Sequence, residues 1–76
     1  KMIKNIYYFE EEAKLIIRTI QKNKMIKYTY YDIPYSMYTQ IDNLFDRKFE
    51  GKVWKKLENC RFEKEEYIIN EKEVES

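Results

Sequence analysis

The chain has 76 residues, of which 43% are hydrophobic and 17% aromatic, and its formal net charge is +1. This length allows one small domain, and the aromatic content is too high for a disordered chain. Because it has no histidine and a single cysteine, Cys60, the chain lacks an internal disulfide and the usual histidine-based catalytic and metal sites.

The first half of the chain carries three candidate elements. Ile3–Phe9 is apolar and aromatic, which favours a strand, and the three glutamates after it favour an exposed turn. Ala13–Gln21 is ambiguous, because its apolar residues recur at helical spacing while its many β-branched residues favour a strand. The polar residues 21–24 predict a hairpin turn before another strand over Met25–Asp32.

The tyrosine-rich stretch Tyr28–Tyr38 joins this last strand to a helix. Pro34 ends the strand, because proline cannot donate to a ladder and its fixed φ suits the first turn of a helix. Met37 and Ile41 begin a pattern of apolar residues at spacings of three and four. We therefore expect a helix over Pro34–Asp46.

After a break at Phe49–Gly51, the pattern predicts a second helix over Lys52–Cys60, with one apolar and one lysine-rich side. We expect Trp54 on the apolar side to anchor the core. Cys60, which closes that side, is expected to be core filler, since free cysteine is commonly buried. Tyr67–Ile69 is either a short edge strand or a segment that packs over the core.

Two short patterns stand out, Y-x-Y-Y-D-I-P-x-x-M-Y from Tyr28 and G-K-V-W-K-K-L from Gly51. Together they resemble the KTSC domain, a short prokaryotic and phage module named for its occurrence with lysyl-tRNA synthetase. The resemblance spans roughly residues 6–62. The matching positions are Tyr28, Tyr30, Ile33, Pro34, Met37, Tyr38, Gly51, Trp54 and Leu57.

The resemblance implies a β-meander before the helix, and so favours a strand in the ambiguous segment. It also implies that Tyr28 and Tyr30 belong to the core. The chain departs from the family pattern in lacking a hairpin glycine between Gln21 and Lys24, and in carrying Glu50 where a small residue usually precedes the glycine. The family suggests association with nucleic-acid enzymes and no settled activity.

These observations predict an α+β fold, in which a three-stranded antiparallel meander packs against two helices on one face. The domain is expected to cover residues 1–70, with residues 71–76 forming a frayed acidic tail. The predicted strands are Ile3–Phe9, Lys14–Gln21 and Met25–Asp32, and the predicted helices are Pro34–Asp46 and Lys52–Cys60.

Charge is distributed unevenly along the second half. Residues 47–62 contain six basic and two acidic residues, whereas residues 63–76 contain two basic and six acidic ones. Such a basic segment is typical either of a polyanion-binding face or of an ordinary solvated surface. Asp42 and Asp46 lie one helical turn apart and are expected to be solvated rather than catalytic.

The eight tyrosines give the main functional signal. Alternation along the strand places Tyr28 and Tyr30 on one face and Tyr31 on the other, so helices on one side leave some of them near solvent. They are either half-buried sheet residues or a recognition surface, since tyrosine is enriched at interfaces. Tyr31, joined by Tyr35 at the helix entry, is the preferred exposed contact.

The function expected from the sequence is a small non-enzymatic binding module that contacts single-stranded nucleic acid or a nucleic-acid enzyme. The alternative is a phage-type inhibitor, similar to anti-CRISPR proteins, that blocks a host nuclease by protein contact. We expect no cofactor, metal, small-molecule substrate or membrane, and a cytoplasmic protein of a low-GC bacterium or its phage. The predicted partner-binding residues are Tyr31, Tyr35, Arg47, Lys48, Lys52, Lys55, Lys56 and Arg61.

Overall fold

A computed structural model describes residues 2–69, and the acidic tail predicted at 71–76 lies outside them. The described residues form a small α+β domain, as predicted. A short 3-10 turn at Glu10–Glu12 connects the first two strands. The elements in chain order are β1 (Met2–Phe9), β2 (Lys14–Gln21), β3 (Lys24–Tyr30), α1 (Tyr35–Asp46), α2 (Glu50–Leu57) and β4 (Phe62–Ile68).

The sheet has four strands in the order β1-β2-β3-β4, all antiparallel, so the prediction of three strands was wrong. The additional strand, β4, returns after both helices to pair with β3. All seven of its side chains are exposed, and it carries four charged residues. It therefore lacks the apolar alternation that marks a half-buried strand, and its ladder of backbone hydrogen bonds to β3 defines it.

The ambiguous segment is the strand β2, as the resemblance implied. Leu15, Ile17 and Thr19 are fully buried, while Ile16 and Arg18 between them are partly exposed. This alternation is the period of a strand whose one face is covered. Tertiary burial against the helices therefore decides a choice that local propensity leaves open.

Both helices cover one face of the sheet, and the core lies between the two layers. Tyr28 and Tyr30 are buried in this core, which confirms their predicted side of the sheet. Trp54 is partly buried and packs against the core rather than lying inside it. The buried apolar residues are Ile3, Leu15, Ile17, Ile26, Tyr28, Tyr30, Ile33, Ile41, Val53 and Leu57.

The helix boundaries differ from the predicted ones for local reasons. Pro34 has extended backbone angles and caps α1, so the helix begins one residue later, at Tyr35. The second helix begins at Glu50 and ends at Leu57, because Phe49 caps its start and the chain then turns toward β4. Within residues 2–69, neither helix is long and apolar enough to cross a membrane.

The junction between β3 and α1 is fixed by Ile33, which is fully buried. Its N–H donates to the carbonyl of Ala13 at 2.8 Å, and its own carbonyl accepts the hydroxyl of Tyr8 at 2.7 Å. Both partners belong to the end of the sheet where β1 passes into β2. The start of α1 is thereby held over this end of the sheet.

Candidate functional site

The connection between α1 and α2 is a tight helix-ending turn. The N–H of Phe49 donates to the carbonyl of Leu44 at 2.9 Å, and that of Lys48 donates to Phe45 at 2.9 Å. This pair of bonds is the Schellman arrangement, in which the first residue past the helix is left-handed and usually glycine. Lys48 occupies that position with φ of 65°. A lysine there costs on the order of 1–2 kcal/mol relative to its ordinary backbone conformations.

The turn places the ring of Phe49 at the surface between two cations. The guanidinium carbon of Arg47 lies 4.8 Å from the ring centroid, and the ammonium nitrogen of Lys52 lies 4.9 Å from it. Phe49 remains 38% exposed, although phenylalanine is usually buried. We call Arg47, Phe49 and Lys52 the cationic platform. It presents a partly exposed aromatic ring with two cations over it, and these cations can bind anions.

A shallow groove of about 410 Å³ runs between the two helices beside the platform. It is lined by Thr39, Gln40, Asn43 and Leu44 of α1 and by Lys56 of α2. None of these five residues is acidic. The groove therefore combines one apolar side chain with hydroxyl, amide and ammonium groups.

Carboxylates also lie near this groove. Asp42 and Asp46 follow Thr39 and Asn43 by three positions, and residues at that spacing are neighbours on one side of a helix. Glu50 accepts the backbone N–H of Ile3 in β1 at 3.1 Å. Within residues 2–69, none of these carboxylates forms an ion pair with a cation of the platform or with Lys56.

Most cations outside the helical segment are paired with carboxylates. Within the described residues, Lys14, Lys24, Lys27, Lys64 and Arg61 form ion pairs, whereas Lys4, Arg18 and Lys22 form none. No ion pair in that part of the chain involves a cation of the helical segment. We call the helical segment's cations, together with its exposed phenylalanine, the basic helical surface: Arg47, Lys48, Phe49, Lys52, Lys55 and Lys56.

Tyr31 and Arg61, two of the predicted contact residues, lie in a separate network at the end of β3. The guanidinium carbon of Arg61 lies 4.4 Å from the ring centroid of Tyr31, and its Nη2 pairs with Asp32 at 3.5 Å. The hydroxyl of Tyr31 donates to Oε1 of Glu63. This hydrogen bond raises the pKa of the Tyr31 hydroxyl. Both residues are therefore engaged with neighbouring side chains.

Tyr35, the remaining predicted contact, lies in a third cluster at the start of α1. It is 56% exposed, and its ring centroid lies 6.3 Å from that of Tyr8 and 6.1 Å from that of Tyr38. Tyr8 and Tyr38 stack at 4.4 Å, and burial raises the pKa of both hydroxyls. Tyr35 and Tyr31 are thus close in sequence but belong to different clusters.

The face of the sheet opposite the helices is a further exposed surface. Its cross-strand row of Met2, Ile20, Met25 and Tyr67 spans all four strands and is mostly apolar. The charged residues beside this row are largely paired, with Lys27 lying 3.8 Å from Glu65. The tyrosine-bearing sheet and the basic helical surface therefore lie on opposite sides of the domain.

The basic residues 47–56 could be predicted from charge, but the groove and Phe49 were missed. In the sequence, Phe49 was visible only as part of a break between two helical patterns. The exposure of its side chain follows from the helix-ending turn. The groove could have been found from Gln40 and Asn43, two uncharged polar residues three positions apart on one side of a helix. Within residues 2–69, no group of three or more potential ligands is placed to hold a metal ion.

Comparisons with known proteins give no match: no family model matches the sequence, and neither a curated protein nor a solved structure is significantly similar to it. The resemblance to the KTSC domain accordingly stays a prediction.

Proposed function

We propose that this protein is a non-enzymatic module that binds single-stranded nucleic acid through the basic helical surface. The observation that carries the proposal is the cationic platform, in which Phe49 is held at the surface between Arg47 and Lys52. Proteins that bind single strands without sequence preference combine such aromatic rings with a groove of positive charge. The cationic platform supplies an aromatic ring and positive charge within residues 47–52.

Each part of the surface has a role in this proposal. An unpaired base stacks on the ring of Phe49 when one of the two cations over the ring turns away from it to contact a neighbouring phosphate. Lys52, Lys55 and Lys56 extend the positive charge along α2. A paired duplex would not offer its base faces to the ring, so the proposal is for single strands. With five cations, binding is expected to be weak and strongly dependent on salt.

The backbone of Lys48 is a further feature of the turn, although Lys22 in the hairpin between β2 and β3 shares its left-handed conformation. A residue held in a costly backbone conformation where glycine would fit better is often retained for function. Lys48 adds a second positive charge, next to Arg47, to the turn that carries Phe49. The proposal accounts for a lysine at this position by its contact with phosphate.

The alternative, an inhibitor that blocks a host nuclease, fits the described surfaces less well. A nucleic-acid channel is positively charged, so a protein that competes for it needs an exposed negative surface. The carboxylates of β4 are engaged within the fold, Glu63 by Tyr31, Glu65 by Lys27, and Glu66 by Lys24.

Fluorescence anisotropy with labelled single strands of DNA and RNA tests the proposal. Oligonucleotides of about 12 nucleotides suit a small single-strand-binding surface, and titrations from about 50 to 200 mM salt give the salt dependence. The test variant is Lys52→Gln/Lys55→Gln/Lys56→Gln. The matched control is Lys4→Gln/Lys22→Gln/Lys64→Gln, which changes the net charge equally and lies in the strands and the β2–β3 hairpin, away from the helices.

The lysine variant should flatten the plot of log affinity against log salt by about 2, which is roughly 0.7 for each of three lost phosphate contacts. The control should keep the wild-type slope. Phe49→Ala should weaken binding by about 1–3 kcal/mol at every salt concentration, because a stacked base loses its platform. Absence of binding by the wild type, or equal slopes for variant and control, would contradict the proposal.

A further inference from the structure

The groove between α1 and α2 has the volume of a small-ligand site and a mostly polar lining. Its volume of about 410 Å³ lies within the range of roughly 300–1,000 Å³ that is typical of small-molecule sites. It is open to solvent, so a group attached to a longer chain can enter from the side. Leu44 supplies an apolar contact, and the other lining groups are hydrogen-bonding or cationic.

Gln40 and Asn43 give the groove side-chain amides that can form paired hydrogen bonds, which the cationic platform lacks. Each side-chain amide carries a donor and an acceptor, and such amides can pair with the edge of a nucleobase through two hydrogen bonds at once. Within residues 2–69, neither amide is engaged by a hydrogen bond to another part of the protein. Their spacing of three positions places them as neighbours on one side of α1.

Lys56 connects the groove to the basic helical surface. It lines the groove opposite the amides and lies one helical turn after Lys52, a member of the cationic platform. A strand whose base stacks on Phe49 can therefore continue along this side of α2 toward the groove. The phosphate next to a base in the groove would meet the ammonium group of Lys56.

We infer that this groove holds one unpaired nucleobase of the bound strand and discriminates between bases through Gln40 and Asn43. The inference rests on the proposed function and adds sequence preference to it. Leu44 contacts the face of the base, the two amides bond its edge, and Lys56 binds the adjacent phosphate. The platform supplies affinity for any strand, whereas the groove supplies selectivity among strands.

Anisotropy titrations with the four homopolymeric DNA oligonucleotides, repeated with RNA, test this inference. The variant is Gln40→Ala/Asn43→Ala, which keeps the charge and should fold, because both residues are exposed and alanine favours helix. The control is Ser36→Ala/Asn59→Ala, two exposed polar residues of the helical layer that do not line the groove.

The wild type should prefer one homopolymer, and the double variant should lose about tenfold in affinity for that strand. Its affinity for the other three strands and its salt dependence should remain those of the wild type. If the wild type binds all four strands equally, or the variant loses affinity for all four alike, the groove does not read bases and the inference is overturned. Both of those results leave nucleic-acid binding intact, whereas absence of any binding overturns the proposed function as well.

Discussion

The backbone N–H of Ile3 donates a 3.1 Å hydrogen bond to Oε1 of Glu50, and so joins an edge strand to the first turn of α2 across 47 residues of sequence. An edge strand presents unpaired backbone groups that can template pairing with other chains. Glu50 satisfies one of these groups. It also holds the start of α2, and with it the turn that carries Phe49, against the sheet.

Replacing Glu50 by alanine should lower the free energy of unfolding by about 1–2 kcal/mol, because a partly buried N–H loses its acceptor. Glu50→Gln keeps an oxygen at this position and should lose about half as much or less, since the bond to a neutral acceptor is weaker. Urea denaturation of the three proteins measures the difference. Equal losses for alanine and glutamine would show that charge, and not the acceptor, matters at this position.

The pKa of Tyr30 predicts how stability changes at high pH. Burial raises this pKa to about 12, whereas an unfolded tyrosine titrates near 10. The folded state therefore holds this proton more tightly than the unfolded state does. The resulting stability is present below about pH 10 and is lost as pH rises toward 12, because the unfolded state then binds fewer protons.

Denaturant titrations between these two pH values should show a falling free energy of unfolding in the wild type. Tyr30→Phe removes the titrating group and should make the decline shallower, although the raised pKa values of Tyr8 and Tyr38 leave part of it. A decline that is equally steep in the Phe variant would show that the hydroxyl of Tyr30 is not the group responsible.

Trp54 is expected to stabilise the contact between α2 and the sheet. Its ring meets that of Tyr28 edge-on, with centroids 5.2 Å apart. Trp54→Ala should cost about 3 kcal/mol, the lower end for a large aromatic residue because the side chain is only partly buried. Thermal melts measure this loss, and Trp54→Phe should retain most of the stability. A melting temperature unchanged by alanine would place Trp54 among surface residues.

The strand β2 was predicted over its whole length once the family resemblance favoured a strand, whereas only the end of β4 was anticipated, as one of two alternatives at Tyr67–Ile69. In β2, buried Leu15 and Ile17 alternate with partly exposed positions, which is the two-residue period of a strand. In β4, all side chains are exposed, and its stability comes from pairing with β3. That pairing depends on where two intervening helices return the chain. A charged segment of this kind resembles an ordinary solvated tail until its partner strand is known.

The same distinction applies to the candidate site. Charge counting finds the lysines of α2, because a basic segment is a local property. The position of Phe49 depends on the backbone of a helix-ending turn, and the groove depends on how two helices pack. Tyr31 and Tyr35 show that closeness in sequence does not ensure a shared site. They are four residues apart, but the buried Ile33 and the entry to α1 separate them.

Tyr31→Ser/Tyr35→Ser tests whether these two side chains belong to the nucleic-acid surface. Each lies outside the basic helical surface, in a cluster of its own. The double variant should keep its affinity for single strands within about twofold, and should lose at most about 1 kcal/mol of stability. Anisotropy and thermal melts measure the two effects. A large loss of affinity with little change in melting would extend the binding surface to these tyrosines.

Lys48 and Lys22 provide a matched pair for the last prediction. Both are lysines in the left-handed region, with φ of 65° and 56°, and both lie in turns. Glycine relieves the backbone cost at either position, and part of that gain is offset by the greater freedom of glycine in the unfolded chain. Lys48→Gly and Lys22→Gly should each raise the free energy of unfolding by about 0.5–1 kcal/mol.

Their effects on binding should differ. Lys48 lies beside Phe49 in the basic helical surface, whereas Lys22 lies in the hairpin between β2 and β3. Lys48→Gly should therefore weaken single-strand binding and reduce its salt dependence by about 0.7, the value for one phosphate contact. Lys22→Gly removes the same charge and should bind as the wild type does. If both variants gain stability and only Lys48→Gly loses affinity, the lysine at position 48 is retained for binding. Equal affinities of the two variants would contradict this role.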